Sequence, residues 1–474
     1  DGAPGHLVLI GGANAAPGGA DLARAACHYA GARQAAAEQG RERLLKLALF
    51  REGMTAFHLE RYKRATESLE AYLKTPGVAA HARSARFALG WSYHQARLYL
   101  KARDAFLESL KAESDKTGDV TLGWLLSALA LGREDEVQGA WSRLKGIRPN
   151  GRVALWGALA WARRLHRSGR FQASVEVLED ALRGLKGAEA AGKEDLIRRA
   201  RLMLALSLYN AGGKDQSASE VFRDLSEAPA DVGDVLRTQA AYGLLLARLG
   251  AGALEGAVSA ADSFEKRFPT DPRLPEARFW RGEALLRLKR PADARKALEK
   301  ISPDHRLGPE AALGWAYAFY DEGRWPDALA AFGEAAERLR GRPALLAEAR
   351  VRLAEAHYNM RNYARAGEMY RKTLKESPDG RMAQTAALRL GEMQFRRANY
   401  KEAERTFAEY LRRWPKSPRG DEAYFWRGLT RIRLGWFPLA RVSLSRLVRD
   451  YPKSRYRTMT LLQIGHTHYN QGNF

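Results

Sequence analysis

Residues 384–418 read QTAALRLGEMQFRRANYKEAERTFAEYLRRWPKSP, and this stretch decides the fold of the 474-residue chain. Apolar residues recur at spacings of three and four on both sides of the turn at residues 397–400, which predicts two amphipathic helices. Trp414 and Pro415 end the second helix, because proline lacks an amide donor and its ring clashes with the preceding turn. The stretch therefore predicts one helical hairpin.

The hairpin recurs along the chain at a fixed step. Small residues lie 37 positions apart at Ala354, Gly391, Gly428 and Gly465. An aromatic residue follows each of them after nine positions, and an alanine follows the first three after twelve. A period of this length predicts stacked helix pairs. We expect Gly391 on the first helix and Ala403 on the second to meet where the two helices cross most closely.

The marks of the hairpin resemble those of the tetratricopeptide repeat family. With Gly391 counted as the eighth position, Ala403, Phe407 and Pro415 fall on the twentieth, twenty-fourth and thirty-second positions and match the family in residue type. About twelve such units cover residues 40–474, including a degenerate unit at 122–149. The resemblance implies an all-α fold, a right-handed α-solenoid of about twelve helix-turn-helix repeats.

The sequence predicts three segments. Residues 1–20 are rich in Gly, Ala and Pro and show no helical period, so we predict an irregular leader. Residues 21–260 form a first solenoid segment with degenerate repeats, and residues 261–474 form a second one that is strongly basic. The second segment ends inside a repeat at Phe474, so we expect further residues to follow in the full-length protein.

The charge of the chain is unevenly distributed. The formal net charge is +23, and residues 338–474 hold 29 Lys and Arg against 12 Asp and Glu, a surplus of 17. This surplus predicts either a solvated arginine-rich surface or a face that binds an acidic protein, an anionic envelope polymer or lipid headgroups. Nucleic acid fits less well, because an all-helical chain has no sheet that exposes aromatic residues to RNA.

Motifs that would indicate catalysis are missing from the sequence. There is no His-Glu-x-x-His, Cys-x-x-Cys or Gly-x-Ser-x-Gly motif, and no phosphate loop that ends in Gly-Lys-Ser or Gly-Lys-Thr. His466 and His468 lie two apart on a predicted helix and point away from each other, so they cannot share a metal ion. No apolar run approaches the length of a membrane span. We predict a non-enzymatic protein without a cofactor.

The resemblance implies that the first helix of each repeat lines a binding surface, with the thirteenth position exposed there. In the C-terminal region this position holds Arg287, Asn359, Arg396, Arg433 and Asn470. We predict that the asparagines bind the backbone of an extended peptide and that the arginines bind its carboxylates. The alternative is the ordinary polarity of exposed helices.

The links between repeats resemble those of a bacterial envelope subgroup. Residues 414–417 and 451–454 each read aromatic-Pro-Lys-Ser, and the period of 37 exceeds the usual 34 or so. The subgroup includes an outer-membrane-assembly lipoprotein and the periplasmic coordinator of the Tol-Pal system. The resemblance implies a periplasmic or outer-membrane-associated scaffold that holds protein partners in a multiprotein assembly.

Three alternatives stay open on the sequence alone. The aromatic-Pro-x-Ser link is a good helix stop in any protein, so it does not require an envelope location. The chain also fits the helical part of a larger envelope enzyme, such as a peptidoglycan lytic transglycosylase. The last alternative is a cytoplasmic regulatory or RNA-associated adaptor.

Overall fold

The fold is entirely helical over the part of the chain that the structure describes. The computed structural model describes residues 19–76, 80–111, 118–147, 151–183, 185, 192–213, 215–229 and 234–470. All regular secondary structure in these ranges is helical, which confirms the all-α prediction. Residues 1–18 of the predicted leader lie outside the described residues, and so does the predicted chain end at Phe474.

The chain forms two compact units, Asp1–Ala240 and Ala241–Phe474. The first unit contains α1 (Gly19–Glu38), α2 (Glu42–His58), α3 (Tyr62–Lys74), α4 (Ala82–Gln95), α5 (Tyr99–Lys111), α6 (Gly118–Leu131), α7 (Glu134–Ile147), α8 (Arg152–Arg167), α9 (Phe171–Leu182), α10 (Glu194–Ala211) and α11 (Asp215–Ser226). Helix α12 (Asp234–Gly250) contains the unit boundary. The change of segment predicted at residue 261 stays a prediction, because it rests on charge and repeat quality and not on compactness.

The second unit continues the same pattern. It contains α13 (Leu254–Arg267), α14 (Leu274–Arg287), α15 (Pro291–Leu298), α16 (Gly308–Asp321), α17 (Trp325–Arg338), α18 (Pro343–Asn359), α19 (Tyr363–Glu376), α20 (Arg381–Arg396), α21 (Tyr400–Arg413), α22 (Gly420–Arg433), α23 (Phe437–Asp450) and α24 (Arg457–Tyr469). None of the helices in the described ranges has both the length and the apolar character that crossing a bilayer requires.

The helices are arranged in pairs. Among the described residues, eleven pairs run from α2 with α3 to α22 with α23, and α24 begins another, which agrees with about twelve predicted repeats. A second helix packs on the first helix of the next pair, as α15 does on α16. First helices of successive pairs, such as α14 and α16 or α18 and α20, also contact each other. Within the second unit the first helices therefore form a continuous layer.

The turns inside the described pairs share one backbone feature. In every described pair, the residue two positions before the second helix has a positive φ, between 57° and 76°. These residues are Glu60, Arg97, Gly132, Gly169, Gly213, Gly252, Lys289, Gly323, Arg361, Ala398 and Gly435. In the turn at Ala398, the Ala398 N–H donates to the Phe395 carbonyl oxygen and the Asn399 N–H donates to the Gln394 carbonyl oxygen, both at 2.9 Å. This is the Schellman arrangement, which satisfies the last carbonyls of the first helix.

In five repeats the small residue is a glycine that makes room for a side chain sixteen positions later. The three atoms nearest to a Cβ built at Gly391 all belong to the ring of Phe407, at 2.6 to 3.1 Å. The expected approach of Gly391 to Ala403 stays a prediction, and Gly391 accommodates the ring of Phe407. The same relation joins Gly53 to Leu69, Gly90 to Phe106, Gly282 to Leu298 and Gly428 to Leu444.

The serine of the aromatic-Pro-x-Ser link has a structural role. The Ser417 hydroxyl donates to Gln384 Oε1 at 2.8 Å and lies 2.7 Å from the Tyr410 hydroxyl. Ser454 repeats this one unit later by donating to Asp421 Oδ2 at 2.6 Å. Each serine therefore ties a link to the start of the preceding first helix, and local structure explains this residue of the motif.

Candidate binding grooves

Two adjoining grooves in the second unit are lined mainly by first helices. The larger, here the Tyr317 groove, has a volume of about 650 Å³ and lies between α14, α16 and α18. The smaller, the Asn359 groove, has a volume of about 270 Å³ and lies mainly between α18 and α20. Tyr320 lines both. The Tyr317 groove is defined by Phe279, Glu283, Tyr317, Tyr320, Glu348 and Arg352, and the Asn359 groove by Tyr320, Glu355, Tyr358, Asn359, Arg389 and Arg396.

The grooves bring some of the predicted binding residues together. Asn359 and Arg396 both line the Asn359 groove, and Arg287 lies in the lining of the Tyr317 groove. Arg433 and Asn470 are exposed at the ends of α22 and α24 and line neither groove. The role of all five residues in binding stays a prediction.

Arg396 already has a partner on its own helix. Its Nε and Nη2 atoms donate to Glu392 Oε1 at 3.0 and 2.8 Å, and its guanidinium carbon lies 5.9 Å from the centroid of the Trp426 ring. The hydrogen bond to Glu392 raises the pKa of Arg396. A carboxylate on a binding partner would therefore compete with Glu392 for this guanidinium.

A hydrogen-bonded chain runs across the floor of the Tyr317 groove. Tyr317 donates its hydroxyl proton to Glu348 on α18, and Arg352 Nε donates to the Tyr317 oxygen at 3.2 Å. Arg352 Nη1 also donates to Glu355 Oε2 at 2.6 Å, and Tyr320 donates to the same oxygen at 3.3 Å. Burial, followed by the hydrogen bond to Glu348, raises the pKa of Tyr317, so the hydroxyl stays protonated.

The Asn359 groove continues this pattern of alternating charges. Arg389 Nη1 donates to Glu392 Oε2 at 2.7 Å and lies 3.7 Å from Glu422 Oε1 on the next first helix. Glu422 also accepts two hydrogen bonds from Arg419, at 3.0 and 2.7 Å. The lining thus consists of acids and bases that are paired with each other, rather than a row of free arginines.

Glu283 and the exposed Arg287 are the exceptions among the charged residues that line the Tyr317 groove. Glu283 is half-buried on α14, and among the described residues neither side chain has a hydrogen-bond partner or an ion-pair partner. The pKa of Glu283 is raised, first by burial and also by the charge of Glu348, although Arg287 acts in the opposite direction. Glu310, which pairs with Arg342, has a second oxygen, Oε2, that is buried without a hydrogen-bond partner.

Most of the groove residues are not among the positions predicted from the sequence, although the sequence contains a signal for them. Residues four and seven positions before an exposed helical residue lie on the same face of the helix. Four positions before Arg287 is Glu283, and seven positions before Asn359 is Arg352. Extending the thirteenth position along its helix face would therefore have identified both.

The first unit has a groove of its own, here the Arg163 groove. It has a volume of about 530 Å³ and is lined by α8, α10 and α12, with Arg163, Asp195, Arg199 and Leu206 among its residues. Arg199 pairs with Asp195 at 2.8 Å, whereas half-buried Arg163 has no ion-pair partner among the described residues. Burial, then Arg199 and Arg167, lowers the pKa of Arg163.

Nothing in the described residues forms a metal centre. No group of three or more His, Cys, Asp and Glu side chains in these ranges is placed to hold a metal ion. His466 and His468 are both exposed on α24, and the side chain of Thr467 between them is buried.

A sequence model of the tetratricopeptide repeat matches residues 50–116, 242–312, 313–381, 353–418 and 388–455, which together are more than half of the chain. No curated protein sequence matches it.

Solved structures show likeness at low identity. The chain is similar to a tetratricopeptide repeat protein of Parabacteroides merdae ATCC 43184, with 17% identity, 58% of this chain and 98% of that chain covered, and a TM-score of 0.39. It is similar to the apo form of RapI, with 11% identity, 68% of this chain and 99% of that chain covered, and a TM-score of 0.44. It is also similar to yeast Tom70, with 13% identity, 90% of this chain and 96% of that chain covered, and a TM-score of 0.35. At these TM-scores the likeness carries no argument.

Proposed function

The chain belongs to the tetratricopeptide repeat family, and from that premise we propose that it is a non-enzymatic scaffold that binds an extended segment of a partner protein. The assembly that we propose for it is a multiprotein complex of the bacterial cell envelope. The binding surface is the layer of first helices in the second unit.

One observation carries the binding role. The Tyr317 and Asn359 grooves adjoin through Tyr320 and together span the first helices from α14 to α20. Two neighbouring grooves that share Tyr320 and are lined by four first helices suit an elongated ligand better than a compact one. Its paired acids and bases offer hydrogen-bonding groups to a peptide backbone and side chains.

The proposed envelope location has a separate and narrower basis. It rests on the sequence resemblance, namely the period of 37 and the aromatic-Pro-Lys-Ser links at 414–417 and 451–454. Because Ser417 and Ser454 are explained by their hydrogen bonds, the length of the period and the other link residues carry this part of the proposal.

Site-specific photocrosslinking in cells that naturally make the protein tests the binding role. p-Benzoylphenylalanine is placed at Arg287 or Asn359, which are both exposed and line the two grooves. The matched control position is Glu299, an exposed residue at the end of α15 outside both grooves. We expect the two groove positions to give a common protein adduct that mass spectrometry identifies, and Glu299 to give none.

The same experiment separates the two parts of the proposal. Identical adduct patterns at all three positions, or no adduct at any of them, would show that the grooves are not the binding surface. Fractionation of the cells before crosslinking locates the protein. Recovery of the protein and its adduct from the cytosol would leave the scaffold role intact and contradict the envelope location.

A further inference from the structure

The walls of the Tyr317 groove are aromatic and suit a cation. Phe279, Tyr317 and Tyr320 contribute rings from two successive first helices. The guanidinium carbon of Arg352 already lies 5.5 Å from the Tyr317 ring centroid and 5.9 Å from that of Tyr320. Because the face of an aromatic ring carries partial negative charge, such rings attract ammonium and guanidinium groups.

Most charges around the groove neutralise one another. Arg342 pairs with Glu310, Lys289 with Asp321 at 3.0 Å, and Arg352 with Glu355 at 2.6 Å. These ion pairs involve every lining charge except two carboxylates and the exposed guanidinium of Arg287.

The two remaining carboxylates belong to Glu283 on α14 and Glu348 on α18. Glu348 accepts a hydrogen bond from the neutral Tyr317 hydroxyl and has no ion-pair partner among the described residues. The two acids are close enough for Glu348 to raise the pKa of Glu283, which is the effect of a like charge. The groove therefore holds more negative than positive charge in its interior.

A linker arginine neutralises the equivalent acid in two neighbouring repeats. Glu276 pairs with Arg306 and Glu310 pairs with Arg342, and each of these acids is the second residue of its repeat. Glu348 occupies the same position in the next repeat, where the link Ser377-Pro-Asp-Gly380 is followed by Arg381, whose side chain lies outside the described part of the chain. Among the described side chains Glu348 has no ion-pair partner.

We propose that the Tyr317 groove binds the cationic side chain, arginine or lysine, of an extended partner segment between Glu283 and Glu348 and against the rings of Phe279 and Tyr317. The inference rests on the scaffold function proposed above and specifies the chemistry of its ligand. The buried Oε2 of Glu310 supplies a further acceptor in the same lining. An organic cation fits better than a metal ion, because no three acidic or histidine side chains of the described residues converge as ligands.

The proposal also assigns a position to Arg287. This residue is exposed and lies one helical turn beyond Glu283 on α14. A partner segment that places its cation beside Glu283 would therefore present its next polar group to Arg287. One ligand can therefore make both contacts, with its cation beside Glu283 and a carboxylate beside Arg287.

Three peptides of identical length test the inference by isothermal titration calorimetry at low ionic strength. They are acetyl-Ser-Ala-Arg-Ala-Ser-amide and the same peptide with citrulline or glutamate in place of arginine. Citrulline keeps the shape of arginine without its charge. We expect the arginine peptide to bind the full chain about tenfold more tightly than the citrulline peptide, as a charge-assisted hydrogen bond implies. The glutamate peptide should bind most weakly.

Two variants assign the preference to the groove. Glu283→Gln removes the charge with little change of shape, and we expect it to abolish most of the preference for arginine over citrulline. Glu299→Gln is the matched control on an exposed residue outside the groove, and it should retain the preference. Circular dichroism melting of each variant establishes that it is folded before titration.

The peptide titrations distinguish failure of the cation-binding inference from failure of the scaffold function. Equal affinity for arginine and citrulline peptides, tighter binding of the glutamate peptide, or no binding of any peptide would overturn the inference. So would a preference that persists in Glu283→Gln. Groove-specific crosslinks from Arg287 and Asn359 would meanwhile support the scaffold function, whatever the titrations show.

Discussion

The Arg163 groove and the Tyr317 groove have the same construction and opposite electrostatics. Each lies between three successive first helices, α8, α10 and α12 in one unit and α14, α16 and α18 in the other. The unpaired half-buried group is an arginine with a lowered pKa in the first and a glutamate with a raised pKa in the second. The repeat thus fixes which positions line a groove, and single residues set its charge. The net charge of +23 does not describe either groove.

The largest expected effect tests whether the helices of the two units that contain the grooves pack in the same way. A Cβ at Gly90 would lie 2.7 Å from the Phe106 ring, and one at Gly391 would lie 2.6 Å from the Phe407 ring. Both rings are fully buried, so neither can move away without disturbing its neighbours. We expect Gly90→Val and Gly391→Val each to lower the free energy of unfolding by about 3 kcal/mol, measured by urea denaturation.

The matched control for these variants is Gly333→Ala. Gly333 lies within α17, and a Cβ there would meet no atom within 4 Å. Alanine should therefore stabilise the helix by up to about 1 kcal/mol. A loss in only one of the two valine variants would show that the units are built differently, and the comparison of their grooves would lose its basis.

The scaffold was predictable because it depends on local spacing. The small residue and the proline of the link are properties of one hairpin and are visible in 384–418, and the period of 37 is visible in the spacing of Ala354, Gly391, Gly428 and Gly465. The contact of Gly391 with the Phe407 ring was not predicted, because it depends on how far the second helix is rotated and shifted against the first. That rotation is fixed by packing across the pair and not by the spacing of residues.

The electrostatics of the grooves could not be derived from spacing. Tyr317 and Glu348 are 31 positions apart, and Arg342 and Glu310 are 32 apart, so their pairing depends on contacts between repeats. A sequence also does not show whether Arg396 bonds to Glu392 on its own helix or stays free. Only the structure separates charges that are satisfied internally, such as that of Arg396, from those without an ion-pair partner among the described residues, such as that of Glu283.

Replacement of an arginine by methionine should have opposite effects in the two grooves. Arg352 holds Glu355, whose side chain is only 13% exposed, and also bonds to Tyr317. Arg352→Met leaves that carboxylate without its ion pair, and we expect the free energy of unfolding to fall by about 2 kcal/mol. Arg163 has no such partner, so Arg163→Met should change stability by between zero and a gain of about 1 kcal/mol.

Urea denaturation followed by tryptophan fluorescence measures both variants under the same conditions. Equal losses in the two variants would mean that Arg163 has a partner in solution, and the contrast between a paired and an unpaired arginine would fail. A loss in Arg352→Met that vanishes when Glu355→Gln is added would confirm the pairing, because the double variant leaves no unpaired charge.

The smallest expected effect concerns the charge of Glu283 and depends on pH. Its folded pKa is raised, so the stability that it contributes is present in acid and is lost as the pH rises through that pKa. Glu283→Gln should therefore be more stable than the unsubstituted protein at pH 7.5. Because the side chain is only half-buried and solvent screens its charge, we expect a gain below about 1 kcal/mol.

The gain should disappear at acidic pH, because protonated glutamate and glutamine are both neutral and nearly equal in size. Melting temperatures at pH 7.5 and pH 4 measure the difference, with Glu299→Gln as the exposed control that should show none. A gain that is equal at both pH values would assign the effect to packing. A loss of stability at pH 7.5 would mean that Glu283 has a cationic partner in the free protein, most directly Arg287. The Tyr317 groove would then be close to neutral, and its electrostatics would not be opposite to those of the Arg163 groove.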